Sequence, residues 1–96
     1  MAQAEIEVRN PSGLHARPAA EFVRAASGFA ADVRVTNLTR DEGKSASAKS
    51  VLGVMGLGVA RGHRVRLDGD GEDADAAVST LRDLIAGGLG EEIEDG

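Results

Sequence analysis

The sequence predicts an α+β fold, a four-stranded antiparallel sheet covered on one side by helices. Three observations carry this. Short segments around residues 5, 31 and 64 alternate polar and apolar side chains, the period of half-buried strands. Two longer segments repeat apolar residues at helical spacing, so each has one buried face. The resulting order is β-α-β-β-(short α)-β-α, and strands apolar on one face suit an antiparallel sheet with a single covered side.

Glu5-Ile6-Glu7-Val8-Arg9 reads as the first strand, and Asn10-Pro11-Ser12-Gly13 is turn chemistry. Ala19, Phe22, Val23 and Ala26 then fall at i, i+3, i+4 and i+7 of a helix that Ser27-Gly28 ends. Pro18 sits in the first turn, where a missing N–H costs little. Ala31 to Thr36 alternates as a second strand, residues 37–44 are polar and turn-like, and Lys44 to Ala48 predicts a short third strand. Ser50 opens a short helix through Val51-Leu52-Gly53-Val54-Met55, with Ser50 as its cap. Arg64 to Leu67 alternates as a fourth strand, and Asp68-Gly69-Asp70-Gly71 reads as a loop. The spacing of Ala74, Ala77, Val78, Leu81, Leu84 and Ile85 predicts a helix after a cap at Asp73, with Gly87-Gly88 at its end. One domain is expected over residues 1–90, followed by an acidic tail, 91–96, expected to be disordered.

Composition narrows the function. Only Phe22 and Phe29 are aromatic, so platforms for stacking bases are nearly absent, and a net charge of −5 also argues against nucleic acid. The absence of cysteine removes disulfides, thiolate catalysis and Cys-based zinc sites. The N-terminal residues carry charges and no apolar core of a signal peptide, and no apolar run reaches bilayer length, so a cytoplasmic location is expected. No metal or nucleotide motif is present, and no cofactor is expected. The acidic run from Asp68 to Asp73 lacks a calcium loop's closing glutamate, position 79 being Ser.

The chemistry concentrates in SGLHARPAAEFV, Ser12 to Val23. His15 falls at a helix start, where Ser, Thr, Asp and Asn are the preferred caps. The free N–H groups and positive dipole end there disfavour an imidazolium and favour a neutral, nucleophilic ring. They also welcome an anion, above all a phosphoryl group. Arg17, in the same turn, can fork onto phosphate oxygens. Gly13 lets the backbone bend into this corner. The same residues also read as an exposed loop histidine beside a surface arginine. His63, at the start of a strand, reads as structural or solvent-exposed.

The segment SGLHARPAAEFV resembles the active-site signature of the HPr family, the histidine phosphocarriers of the bacterial phosphotransferase system. GKSASAKSVLGVMGLGVARG resembles the family's second signature, around a regulatory serine. The resemblance implies an open-faced sandwich (βαββαβα) and a carrier rather than an enzyme. It implies that His15 accepts a phosphoryl group on Nδ1 from phospho-enzyme I and passes it to a sugar-specific enzyme IIA domain. Arg17, with Ala16, would steady the phosphoryl group. It places the regulatory serine at Ser50, where a phosphate at a helix start is well received, although Ser50 also reads as a simple cap. Ala20, Arg24, Lys49, Val51, Leu52 and Met55 map to the partner-docking surface. Met55 is the expected adaptable exposed contact, while Val51 or Val54 also read as core. A serine kinase or phosphorylase is a further implied partner, and the family is usually monomeric. The loop Leu38 to Gly43 is longer than is usual in the family. An alternative is an HPr-like regulatory module of a nitrogen-type or dihydroxyacetone-kinase chain, acting by docking and serine phosphorylation.

Overall fold

A computed structural model describes residues 2–91. Its elements are β1 (Ala2–Glu7), α1 (Ala16–Ser27), β2 (Asp32–Asn37), β3 (Ser45–Ser47), α2 (Val51–Gly56), β4 (Arg64–Asp70) and α3 (Ala74–Ala86). The four strands form one antiparallel sheet in the order β1-β4-β2-β3. The three helices cover one face: α3 packs on β1, β4 and β2, and α1 packs on α3 and α2. The architecture is the α+β open-faced sandwich that the sequence predicts.

The register explains which residues face the core. Ala4, Leu67 and Val35 align across β1, β4 and β2, and Ile6 aligns with Val65. Val33, Val35, Val65 and Leu67 are fully buried in one core cluster with Phe22 of α1 and Leu81 and Ile85 of α3. Burial of such side chains contributes about 1.5–3 kcal/mol each. Their neighbours Glu5, Arg34 and Arg64 stay exposed on the uncovered face. The helical residues at i, i+3, i+4 and i+7 of α1 are all buried, together with Pro18.

Three expectations need correction. β1 pairs over Ala2–Glu7 rather than residues 5–9. Alanines at positions 2 and 4 continue the inward face but have low strand propensity, so the pattern is easily missed. β4 continues through Asp68-Gly69-Asp70, which the sequence suggests is a loop. Gly69 lies in the central strand, opposite both Ala2 and Val33. A side chain there would place Cβ 2.7 Å from Val78 Cγ2, so this glycine serves the close approach of α3 and not a turn.

Asp73 is the third. It occupies the cap position of α3, yet its side chain makes no cap bond. Its carboxylate instead accepts the N–H groups of Ala30 (2.9 Å) and Ala31 (2.7 Å), fastening the α1–β2 loop to the start of α3. The bond from the Ala30 N–H is the main cause holding this carboxyl below the ordinary aspartate range, with further help from Ala31 and the Lys49 charge. A carboxyl depressed in the folded state contributes stability above its unfolded value of ~3.9, and that contribution is lost as pH falls through the lower folded value. Asp73→Asn is therefore expected to lower the urea midpoint at pH 7, with the two proteins converging as the pH falls below the lowered folded value. A constant difference between them across that range would contradict this role.

Candidate functional site

The site begins with a turn pressed against a neighbouring strand connection. Gly13 has φ +58°, the left-handed region. A Cβ on it would lie 2.2 Å from the carbonyl oxygen of Val59, so only glycine fits. The Leu14 N–H donates to the same Val59 carbonyl at 3.1 Å, and the Leu14 side chain is 1% exposed. Asn10, fully buried, donates from Nδ2 to the Gly13 carbonyl at 2.9 Å. The chain just before His15 is thereby fixed on three sides.

His15 follows as the N-terminal cap of α1, in extended conformation, exposed, and with no side-chain cap bond. Ala16 then takes φ +48°, a conformation that costs a non-glycine residue about 1–2 kcal/mol. Pro18 has no N–H, so the backbone donors free at this end belong to His15, Ala16 and Arg17. Arg17 is exposed and makes no ion pair within 4.0 Å among the described residues. An exposed imidazole, backbone amides and an exposed guanidinium thus share one turn, open to an incoming anion. Among the described residues no group of carboxylates and histidines is arranged to hold a metal ion.

His63 contrasts with His15. Its Nδ1 receives two donors, Asn37 Nδ2 at 3.1 Å and the Ala60 N–H at 3.2 Å. Both partners donate, so Nδ1 is the accepting nitrogen and its lone pair is occupied. The structural reading of this histidine holds.

The second motif lies elsewhere in the helical layer. Ser50 caps α2, its Oγ accepting the Gly53 N–H at 3.0 Å. Lys49 Nζ donates to the Phe29 carbonyl, just past the end of α1, at 2.8 Å. Val59, which follows α2, bonds Leu14 just before α1. These two tethers place His15 and Ser50 near opposite ends of α1, whose 12 residues span about 18 Å. Between them Ala20 and Arg24 are exposed on α1, Arg24 lying 3.8 Å from Glu21. On α2, Leu52 is 84% exposed and Val51 37%, whereas Val54 is fully buried. Met55 is half-buried against the core, so Leu52 and not Met55 presents the large exposed apolar side chain. Met55 adjoins Val54 on a helix short enough that its inner face takes both.

One site neighbour lies outside any sequence expectation. Glu91, grouped by sequence with the acidic tail, accepts from Ser12 N–H (3.0 Å), Ser12 Oγ (2.8 Å) and Asn10 Nδ2 (2.9 Å). These bonds, Asn10's first, with the Arg17 charge, hold its carboxyl below the usual glutamate range. Residues separated by 79 positions give no local signal of such a contact. The remainder of the expected tail, 92–96, lies outside the described residues.

An open-faced α+β sandwich with an exposed histidine at a helix start is the architecture of a histidine phosphocarrier. The family profile described as the PTS HPr component phosphorylation site matches residues 2–87, and the chain belongs to the HPr phosphocarrier family of the phosphotransferase system. The multiphosphoryl transfer protein of Salmonella typhimurium is 47% identical over 88 residues, covering 92% of this chain and 23% of that protein. The chain thus spans less than a quarter of the length of the curated relatives it matches. HPr-C-His from Thermoanaerobacter tengcongensis superposes with a TM-score of 0.88 at 43% identity, over 97% of this chain and 100% of that one. The phosphocarrier HPr of Bacillus anthracis gives 0.79 at 35% identity, over 85% and 93%. No helix among the described residues is long and apolar enough to cross a membrane.

The turn before His15 should be intolerant of any side chain. Gly13→Ala is expected to cost roughly 2 kcal/mol or more by chemical denaturation, through the positive φ and the overlap with the Val59 carbonyl. A cost near zero would mean that this approach does not fix the loop.

Proposed function

We propose that this protein carries a phosphoryl group on His15, accepting it from phospho-enzyme I and passing it to an enzyme IIA domain. The observation that carries this reading is the exposed, uncapped imidazole of His15 at the start of α1, with Arg17 beside it. The Nδ1 lone pair of the neutral ring attacks phosphorus, forming a P–N bond as the bond to the donor breaks; reversal onto the next acceptor restores the free ring. Positioning and charge do most of the work in phosphoryl transfer. The amides of Ala16 and Arg17 and the Arg17 guanidinium supply that charge without enclosing the group, so the phosphohistidine stays accessible to its acceptor. Ala20, Arg24, Lys49, Val51, Leu52 and Met55 form the docking surface, with Leu52 its apolar centre.

A regulatory input at Ser50 has its own support. Its Oγ already faces a helix-start amide, where a phosphate dianion is electrostatically favoured. Because Ser50 lies at the other end of α1 from His15, such a phosphate acts on docking, beside Leu52 and Lys49, rather than on the imidazole itself.

Incubation with phosphoenolpyruvate and enzyme I, followed by intact-mass measurement, tests the carrier reading. One added phosphoryl group, lost in acid, stable in alkali and absent from His15→Ala, is expected. Undiminished acid-labile uptake by His15→Ala would sink the assignment.

A further inference from the structure

The C-terminal end of α3 does more than close the fold. After Ala86 the chain passes through Gly88 (φ +91°), Leu89 (φ +53°) and Gly90 (φ +87°). Three successive left-handed residues reverse its direction. Leu89 bears the strain of a non-glycine residue there but is only 2% exposed, and its N–H donates to the Leu84 carbonyl at 3.1 Å. The reversal, anchored by Leu89, delivers Glu91 to the turn that leads into His15. Leu84, Leu89 and Gly90 also form one wall of a groove of about 320 Å³, with Arg17 and Glu21 of α1 on the other.

At that turn Glu91 supplies what the loop lacks. The Ser12 N–H and hydroxyl and one hydrogen of the buried Asn10 amide all donate to its two carboxylate oxygens. Asn10 Nδ2 is thus shared between the Gly13 carbonyl, two residues before His15, and Glu91. Bonds to a charged acceptor contribute about twice as much as neutral ones. A displaced reacting group loses rate steeply, even when the displacement originates away from the chemistry.

We propose that Glu91 is a positioning residue for phosphoryl transfer: through Ser12 and Asn10 its carboxylate holds the turn that sets the backbone of His15. This rests on the carrier reading above. The device acts through hydrogen bonds to the turn and not through contact with the phosphoryl group. Removing it releases Ser12 and one of the two bonds of the Asn10 amide, loosening the turn that the Val59 contact still anchors, while the core and the docking face stay in place.

The test compares wild type, Glu91→Ala and Glu91→Gln in phosphoryl uptake from enzyme I, alongside hydrogen exchange at the Ser12 amide. Glu91→Ala is expected to lower kcat about three- to ten-fold with KM for enzyme I little changed, because the docking face is untouched. Ser12 amide exchange should accelerate in the same variant. Glu91→Gln keeps an oxygen to accept from Ser12 N–H and Asn10, and its amide can donate to the Ser12 hydroxyl, so it should recover most of the rate. A Glu91→Ala protein with wild-type kcat and unchanged Ser12 exchange overturns the inference. So does Glu91→Gln falling as far as Glu91→Ala, which would assign the effect to charge beside Arg17. Wild-type protein that takes up no phosphoryl group overturns the carrier reading together with this one, a result distinct from either.

Discussion

The approach of Gly13 to the Val59 carbonyl is the contact on which the site depends. The backbone after α2 and the backbone before α1 come so close that one side chain could not fit between them. Val59 and Leu14 share a hydrogen bond at that point, and both side chains are buried in the common core. The sheet and helices thus fix, by ordinary burial, where the chain must emerge. His15 appears one residue beyond the last buried position, exposed but carried by backbone that cannot drift. A reactive side chain on a mobile loop would lose this orientation; one inside the core would lose access to its partners.

Locally unfavourable features gather around the same corner. Ala16 is held at positive φ, and the buried Oδ1 of Asn10 has no hydrogen-bond partner among the described residues. His15 stands where a capping side chain would normally bond the helix end. Each costs stability, and each is tolerated because the surrounding packing over-determines the conformation. The missing cap bond at His15 leaves the helix N–H groups and the imidazole open to an anion. Ser50 is the counterexample. There the cap is satisfied, and α2 presents Leu52 outward while Val54 anchors it below.

Much of this was legible in the sequence. The helical spacing of Ala19, Phe22, Val23 and Ala26 marks α1 without ambiguity, and a histidine at its start stands out because it is a poor cap. Ser50 declares itself by the opposite logic. The failures share a cause. Gly69 and Asp73 look like turn and cap residues, but their roles depend on Val78 and on the Ala30 and Ala31 amides, which come near only in the folded chain. β1 begins before its visible alternation because Ala2 and Ala4 are small, and their burial follows from pairing with β4. Glu91 reads as one acid among several in a tail; only the reversal at residues 88–90 turns it toward Ser12. Local chemistry is visible in local sequence, whereas contacts between distant segments are not.

The chain has two histidines in opposite settings: His15 is exposed and uncapped at the start of α1, whereas Nδ1 of His63 accepts two donors. The direct measurement is nitrogen and phosphorus NMR of the histidine-labelled protein before and after phosphoryl transfer from enzyme I. The expected result is that Nδ1 of His15 shifts and couples to phosphorus, while His63, whose Nδ1 is occupied by Asn37 and Ala60, keeps its resonances. Phosphorus coupling at His63, or a phosphoryl group found on neither ring, would contradict it.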